Sequence, residues 1–535
     1  MKNFVFLFFI FFLSSLGLLG AEGSPEKDKI AAISFSEGVK HLELKDYHKA
    51  ILHFNNALQI NPNDAVAYNN RGVAHAALSK HREAIADFDK AVEINPQFSQ
   101  VFFNRGSAYI RIGQYDQAIS DFNKALQLAP EDADALLYRG RALFQKGDYG
   151  QAMADFNQAV KINPKAAPAY LSRGKVLYVR GRYDQAIADF NETIKLDPFI
   201  SQAYTDRGLT FYGKDLYDPA IADFDKALQL DPQDINAVFY RGKALFYKGE
   251  YSRAVADFNQ AVKINPELTR ALLLRGKAFY ALGQDDLAIV DFNKTMALNQ
   301  KEYEAYCGRG AVYFVKKEYN KAIADFTKSL QLNPNYYLSY NNRGIAYYYK
   351  GQFDKAIADF NTAIKLNPEF APVYNNRGAA YDAKGLRDKA IADFNMALEK
   401  NPMFSLALFN RGTVYLNNSQ YSQAIGDFRD ALMIDPDFTD AYLNEGVLYM
   451  MTGSYDRAVE NFNKALGLNP SFADAYYNRA VAHFCAKQYK KAWQDARMAQ
   501  KLGFKIPPKF LGTLKQTGVT NFEAKPAEKM TRVAR

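Results

Sequence analysis

Twelve prolines, at positions 62, 96, 130, 164, 198, 232, 266, 334, 368, 402, 436 and 470, are spaced by 34 residues, or by 68 where Gln300 takes the place of one. Glycines keep the same beat from Gly38 to Gly446, and Ala480 stands in the fourteenth place. A fixed period of a few tens of residues means a stack of small units, each unable to bury its apolar face alone. That period overrides the several globular domains that 535 residues would otherwise suggest. Counted from residue 31, fourteen units end at residue 506, with thirty residues before them and twenty-nine after. The arithmetic leaves no room for a separate catalytic domain.

Each unit reads as two helices. In unit 2 the apolar spacing predicts helix A from Val66 to Leu78 and helix B from Arg82 to Ile94. Asn95-Pro96 closes the hairpin, because proline cannot continue a helix and restricts the residue before it. Gly72 lies inside helix A, where glycine costs about 1 kcal/mol relative to alanine. That cost makes sense where helix B crosses closely, with Ala84 and Ala91 as the small residues facing the glycine and with Phe88 and Tyr68 filling the wider gaps.

This pattern resembles the tetratricopeptide repeat family: an aromatic at position 4, Gly at 8, an aromatic at 11, Ala at 20, an aromatic at 24, Ala at 27 and Pro at 32. Unit 10 carries all seven as Tyr340, Gly344, Tyr347, Ala356, Phe360, Ala363 and Pro368. The resemblance covers residues 31 to 506. It departs at Ala480, Ala496 and Phe504 in unit 14, at Thr295 and Gln300 in unit 8, and at Ser34 and His41 in unit 1. The implied fold is all-α, a right-handed superhelical solenoid of about fourteen antiparallel helix-turn-helix hairpins with a C-terminal capping helix.

Position 7, usually apolar in that family, is Arg in twelve units, and position 23 is Asp in twelve. The exceptions coincide, with Glu37 beside His53 in unit 1 and Glu445 beside Asn461 in unit 13. Pairing inside each hairpin avoids every like-charge contact, so a bridge such as Arg343 to Asp359 is expected in twelve units. Such arginines are structural and not a ladder for phosphates.

By the same resemblance, helix A lines the concave face, and its inward positions mark two candidate partner-binding zones. In units 4 to 8, position 9 supplies Arg141, Lys175, Lys243 and Lys277, and position 12 supplies Phe144, Tyr178, Tyr212, Phe246 and Tyr280. This basic and aromatic stripe suits an extended acidic or aromatic peptide; alternatively the rings pack on the next hairpin and the lysines solvate the face. The second zone is a row of asparagines at position 6: Asn70, Asn104, Asn342, Asn376, Asn410, Asn444 and Asn478. An Asn amide offers a donor and an acceptor to an extended backbone. At this one position the chain resembles the asparagine ladder of sugar-modifying transferases; a solvated polar face is the other reading. No three consecutive units supply the Lys, Asn and Arg set of a chaperone-tail clamp.

Residues 1–23 differ from the rest. Lys2 precedes an uncharged stretch from Asn3 to Ala21, and Ala21-Glu22-Gly23 offers small residues for cleavage. This is the layout of a signal peptide, or of an N-terminal membrane anchor where it is retained. Residues 24–30 read as a short linker. The last segment, 507–535, reads as a capping helix around Lys509 to Gln516 followed by a flexible basic tail. An extracytoplasmic setting is therefore expected: periplasm, envelope or secreted.

Composition adds exclusions. Net charge is +9, too weak to argue for nucleic acid. Cys307 and Cys485 lie more than five repeats apart and read as small, partly buried side chains with no disulfide and no metal spacing. His75 and His483 replace the aromatic at position 11 and are expected to pack. No nucleophile elbow, phosphate loop or metal motif occurs. The expectation is a non-enzymatic scaffold without cofactors, binding other proteins or peptides. A glycan is the alternative partner, nucleic acid is not expected, and a membrane enters only through an uncleaved N-terminal segment.

Overall fold

The computed structural model describes residues 25–517, which form 29 α-helices and no strand among the described residues. They belong to two compact bodies, the first ending at Leu274 and the second beginning at Arg275. Within each body every hairpin packs its two helices together, and helix B of one unit packs on helix A of the next. The expected spans hold to within a residue: unit 2 has helix A at Ala65–Ala77 and helix B at His81–Ile94. The first helix begins at Pro25, so the segment expected as a linker is helical.

The turn between helices A and B is set by position 15. There the backbone is left-handed in all fourteen units, with Gly in eight and Lys45, Ser79, Asp215, Lys317, Ser419 and Lys487 in the others. In unit 2 the Lys80 N–H reaches back to the His75 carbonyl and the Ser79 N–H to the Ala76 carbonyl, which satisfies orphaned helix-end acceptors. At the far end, the Asn95 side chain accepts the Gln97 N–H and carries the chain around Pro96. Asn299 makes the same turn with Lys301, which explains how unit 8 tolerates Gln300 in place of proline.

The core of each hairpin is the position 24 ring. Phe88, Phe156, Phe258 and Phe360 are buried, each contributing about 2–3 kcal/mol by area. This ring dictates the glycine at position 8. A methyl on Gly344 would lie 2.6 Å from Phe360 Cε1, and one on Gly72 2.7 Å from Phe88 Cε1. The alanine at position 20 also comes close, as at Gly106, where a methyl would lie 3.2 Å from the Ala118 carbonyl oxygen. Unit 14 shows the same coupling: it has lost the ring, with Ala496 at position 24, and carries Ala480 in the glycine place.

All twelve expected Arg–Asp bridges form, each side-on and bidentate. Arg343 Nε and Nη2 donate to Asp359 Oδ2 and Oδ1, both at 2.8 Å. The third guanidinium nitrogen, Nη1, reaches position 25 of the preceding hairpin, as in Arg71 to Asn55, Arg105 to Asp89, Arg343 to Thr327 and Arg377 to Asn361. Within each body such an arginine therefore closes its own hairpin and ties it to its neighbour. In unit 13 the polarity reverses: Glu445 stands at position 7, and Arg429, at position 25 of unit 12, places its Nε 3.4 Å away. In unit 1, Glu37 pairs with Lys40 and His53 stacks on His41.

Unit 14 is covered by the helix Pro508–Gln516, one residue longer than expected. Leu514 is buried there, and Phe510 meets Tyr477 and Phe484 edge-on. Cys307 is buried and Cys485 exposed, both free, so the expectation of partial burial fails for Cys485. His75 and His483 are packed inside their hairpins, 3.8 Å from Asp87 and Asp495 respectively. No helix among the described residues is long and apolar enough to cross a membrane. The N-terminal signal or anchor reading and the flexible-tail reading beyond residue 517 lie outside the described residues.

Candidate binding groove

Within each body successive A helices also touch one another, whereas successive B helices make no comparable contact among the described residues. The A helices therefore line the inside of the curve, and their inward positions decide what that surface presents.

In the first body, units 4 to 7 carry the basic and aromatic stripe on helices Ala133–Gln145, Ala167–Val179, Ser201–Gly213 and Ile235–Tyr247. Its cations are not equivalent. Arg141 donates from Nε to Ser172 Oγ at 3.2 Å and lies over the Tyr138 ring; burial pushes its pKa down. Lys175 lies 3.3 Å from Asp206, a half-buried acid on the next A helix. Burial raises the Asp206 pKa, against the pull of Lys175, and Gln202 donates to its Oδ1. Lys243 meets no acid among the described residues and sits against Tyr212, Tyr240 and Phe239. In the second body, Lys277 is bound to Glu304 at 2.5 Å. The stripe expected to be openly basic is therefore corrected at Lys175 and Lys277, whose charges are matched from within.

The position 12 rings pack on the first residue of helix B of their own hairpins, and Tyr212 also meets Tyr240 and Tyr247 of the next one, as the packing alternative expected. Phe144 meets Tyr149, Tyr178 meets Tyr183, Tyr212 meets Tyr217 and Phe246 meets Tyr251, at centroid distances of 5.4 to 5.8 Å. Each keeps part of its surface open, so packing and presentation coexist. Tyr280 has Asp285 at that place instead of a ring and is the most exposed of the five. Burial first, then Asp285, raises its pKa.

The asparagine row is in part drawn inside the stack. Asn70 and Asn104 are fully buried. Asn104 Nδ2 donates to Asn69 Oδ1, and Asn69 Nδ2 donates to Asn70 Oδ1, a chain of amides linking consecutive A helices. The pattern repeats where Asn376 donates to Asn341, Asn341 to Asn342, and Asn410 to Asn375. Asn342 reaches Cys307, Asn444 reaches Thr413 and Asn478 its own helix at the Asp474 carbonyl. The doubled Asn-Asn pairs were the signal: position 5 of one unit accepts from position 6 of the next. What this leaves on the inner face is the acceptor oxygens of half-buried Asn376, Asn410 and Asn444.

Two residue sets escaped sequence reasoning. The Asn, Asp or Thr at position 25 receives the third arginine nitrogen, and Asp206 and Glu304 neutralise position 9 lysines. Among the described residues no group of His, Cys, Asp and Glu is arranged to hold a metal.

Stacked helical hairpins with an inner face of side chains define a repeat protein of a class typically used for protein–protein interaction. Tetratricopeptide repeat models match residues 65–98, 303–336, 337–370 and 371–404, residues 103–167 and 171–235, and residues 406–438. A TPR repeat model matches 40–79, 242–283 and 446–484. The chain belongs to the tetratricopeptide repeat family. Among solved structures it is similar to yeast Tom70, at 20% identity and a TM-score of 0.40, over 89% of this chain and 99% of that one. MamA is similar at 32% identity and a TM-score of 0.28, over 30% of this chain and 94% of that one. YrrB, described as a TPR protein with an unusual peptide-binding site, is similar at 26% identity and a TM-score of 0.30, over 35% and 95%. No curated protein matches the chain.

Proposed function

We propose that this protein is a non-enzymatic scaffold that holds an extended segment of another protein along the inner face of units 4 to 7. The observation that carries the reading is the coexistence there of part-exposed rings, Tyr178, Tyr212 and Tyr240, with a cation, Lys243, that meets no acid among the described residues. Aromatic faces with a few charges are what anchors an extended partner at low entropic cost. The setting we propose is extracytoplasmic, supported by the uncharged stretch from Asn3 to Ala21 and the small residues after it. Sequencing the N-terminus of the protein purified from its own cells tests this: a start near Gly23 supports export, and an intact Met1 in the cytoplasm overturns it.

The groove is tested with a photo-crosslinking residue at Tyr178 or Tyr212, against one at the outward-facing, exposed Lys161. A protein captured from the groove positions and not from Lys161 supports the reading. Capture from Lys161 alone overturns it. Glycan binding is the second reading, favoured by the ring stacks of exposed Tyr247 on Tyr217 and exposed Tyr349 on Tyr319. Saccharide binding lost on Tyr247→Ala and Tyr349→Ala would move the function there.

A further inference from the structure

Lys243 stands apart from the other three cations of the stripe. The residue thirty-one places after Arg141 is Ser172, its hydrogen-bond partner, and the one thirty-one places after Lys175 is Asp206, its ion-pair partner. The corresponding place for Lys243 holds Leu274, which is buried and apolar. No carboxylate approaches Lys243 among the described residues. Its ammonium is instead 4.9 Å from the ring centre of Tyr212, 5.1 Å from Tyr240 and 5.9 Å from Phe239. Three rings hold the charge in one place and shield it from water. Cation–π attraction replaces only part of the hydration so lost. Burial, followed by the nearby Arg270 charge, pushes the Lys243 pKa down. A part-dry cation with no countercharge gains more from meeting an anion than a fully solvated one, because its desolvation has already occurred.

We infer that Lys243 is the anchor for a side-chain carboxylate of an acidic peptide lying on the inner face of units 6 and 7. The Tyr212 and Tyr240 rings flank the contact. The inference rests on the groove reading above and narrows it, since Lys175 and Lys277 already have Asp206 and Glu304. Acidic side chains are selected over neutral ones at a single point, and the neighbouring rings supply sequence-tolerant area.

The test uses the full-length protein and a fluorescein-labelled peptide of alternating Glu and Tyr, amidated at its C-terminus, with the same peptide carrying Gln for every Glu. Wild type should bind the Glu peptide about tenfold more tightly, the size of one charge-assisted hydrogen bond. Lys243→Met keeps the aliphatic stem among the rings and should abolish that preference; Lys243→Arg and Lys175→Met should retain it. Hydrogen exchange of Ile235–Tyr247 confirms that each variant is folded. An unchanged preference in Lys243→Met overturns the anchor. Equal binding of both peptides by wild type, lost on Tyr212→Ala, overturns the anchor and leaves the groove reading standing. No saturable binding of either peptide overturns both.

Discussion

Replacing Asp359 with Ala isolates the rung that recurs through the stack. The change removes two charge-assisted hydrogen bonds of 2.8 Å and leaves the Arg343 guanidinium, 17% exposed, without its carboxylate. Breaking a buried pair from one side costs about 3–5 kcal/mol. Arg343 retains Thr327 at 3.0 Å and lies 5.6 Å from the Tyr340 ring centre, so the cost falls at the low end, about 3 kcal/mol. In a repeat array this loss is felt locally more than in one global transition. The assay is therefore hydrogen exchange of the full chain, read over Tyr337–Tyr349 and Phe353–Leu366. At about 1.4 kcal/mol per tenfold, exchange in those two helices should quicken by roughly 100-fold. Asp354→Ala is the control: it breaks an ion pair with Lys384, but Asp354 is 86% exposed, so exchange should hardly change. Equal exchange in the two variants would refute the claim that the rung stabilises the hairpin.

Ser419→Gly relieves a left-handed residue at φ 60° on an exposed turn and should stabilise unit 12 by about 1 kcal/mol, measured by exchange over Tyr421–Ile434. Gly378→Ala puts a methyl 2.8 Å from Phe394 Cε1 and should destabilise unit 11 by about 1–2 kcal/mol despite its better helix propensity. Burial holds the His75 and His483 rings below the usual imidazole pKa of 6.5. The unfolded chain takes up those protons first, so the stability these neutral rings contribute is full above pH 6.5 and is lost as pH falls below it. Protection in units 2 and 14, corrected for the pH dependence of intrinsic amide exchange, should fall between pH 7 and 5, and His75→Tyr should reduce the effect in unit 2, where burial also holds the His81 ring below its usual pKa. Glu445→Arg faces Arg429 and should loosen units 12 and 13, whereas Glu445→Arg with Arg429→Asn and Asn461→Asp rebuilds the common rung and should restore wild-type exchange.

The period, the two helices of each unit and the Arg–Asp rung were legible because each is fixed within one hairpin. Position 7 meets position 23 sixteen residues later in twelve units, and the substitutions in units 1 and 13 occur together. The groove was less legible because its contacts run diagonally between hairpins. Lys175 finds Asp206 on the next A helix, and Asn104 finds Asn69 thirty-five residues back. A reading that treats each repeat position as a column counts Lys175 and Lys243 as equals, although one faces an acid and the other three rings. It likewise credits Asn70 to the surface, when the amide of the preceding A helix position determines whether such a side chain is drawn inside.

The reversed rung at units 12 and 13 shows how narrow that margin is. Shifting the Glu445 pairing to the preceding unit at position 23 meets Asp427, a like charge, which argued for pairing within hairpins alone. Two residues further along the same helix is Arg429, whose guanidinium meets Glu445 and donates to the Tyr449 hydroxyl at 2.6 Å. Near-identical hairpins can in principle stack in more than one order, since most rungs offer Arg at position 7 and Asn at position 25. The reversed rung is not interchangeable in this way. An Arg-bearing unit placed after unit 12 would bring two guanidinium groups together, and unit 13 placed after unit 2 or unit 6 would set Glu445 against Asp89 or Asp225. Electrostatic mismatch of this kind specifies a neighbour by penalising the alternatives, as charged positions do in coiled coils. The inverted pair thus disfavours mismatched neighbours at one junction of a repetitive stack.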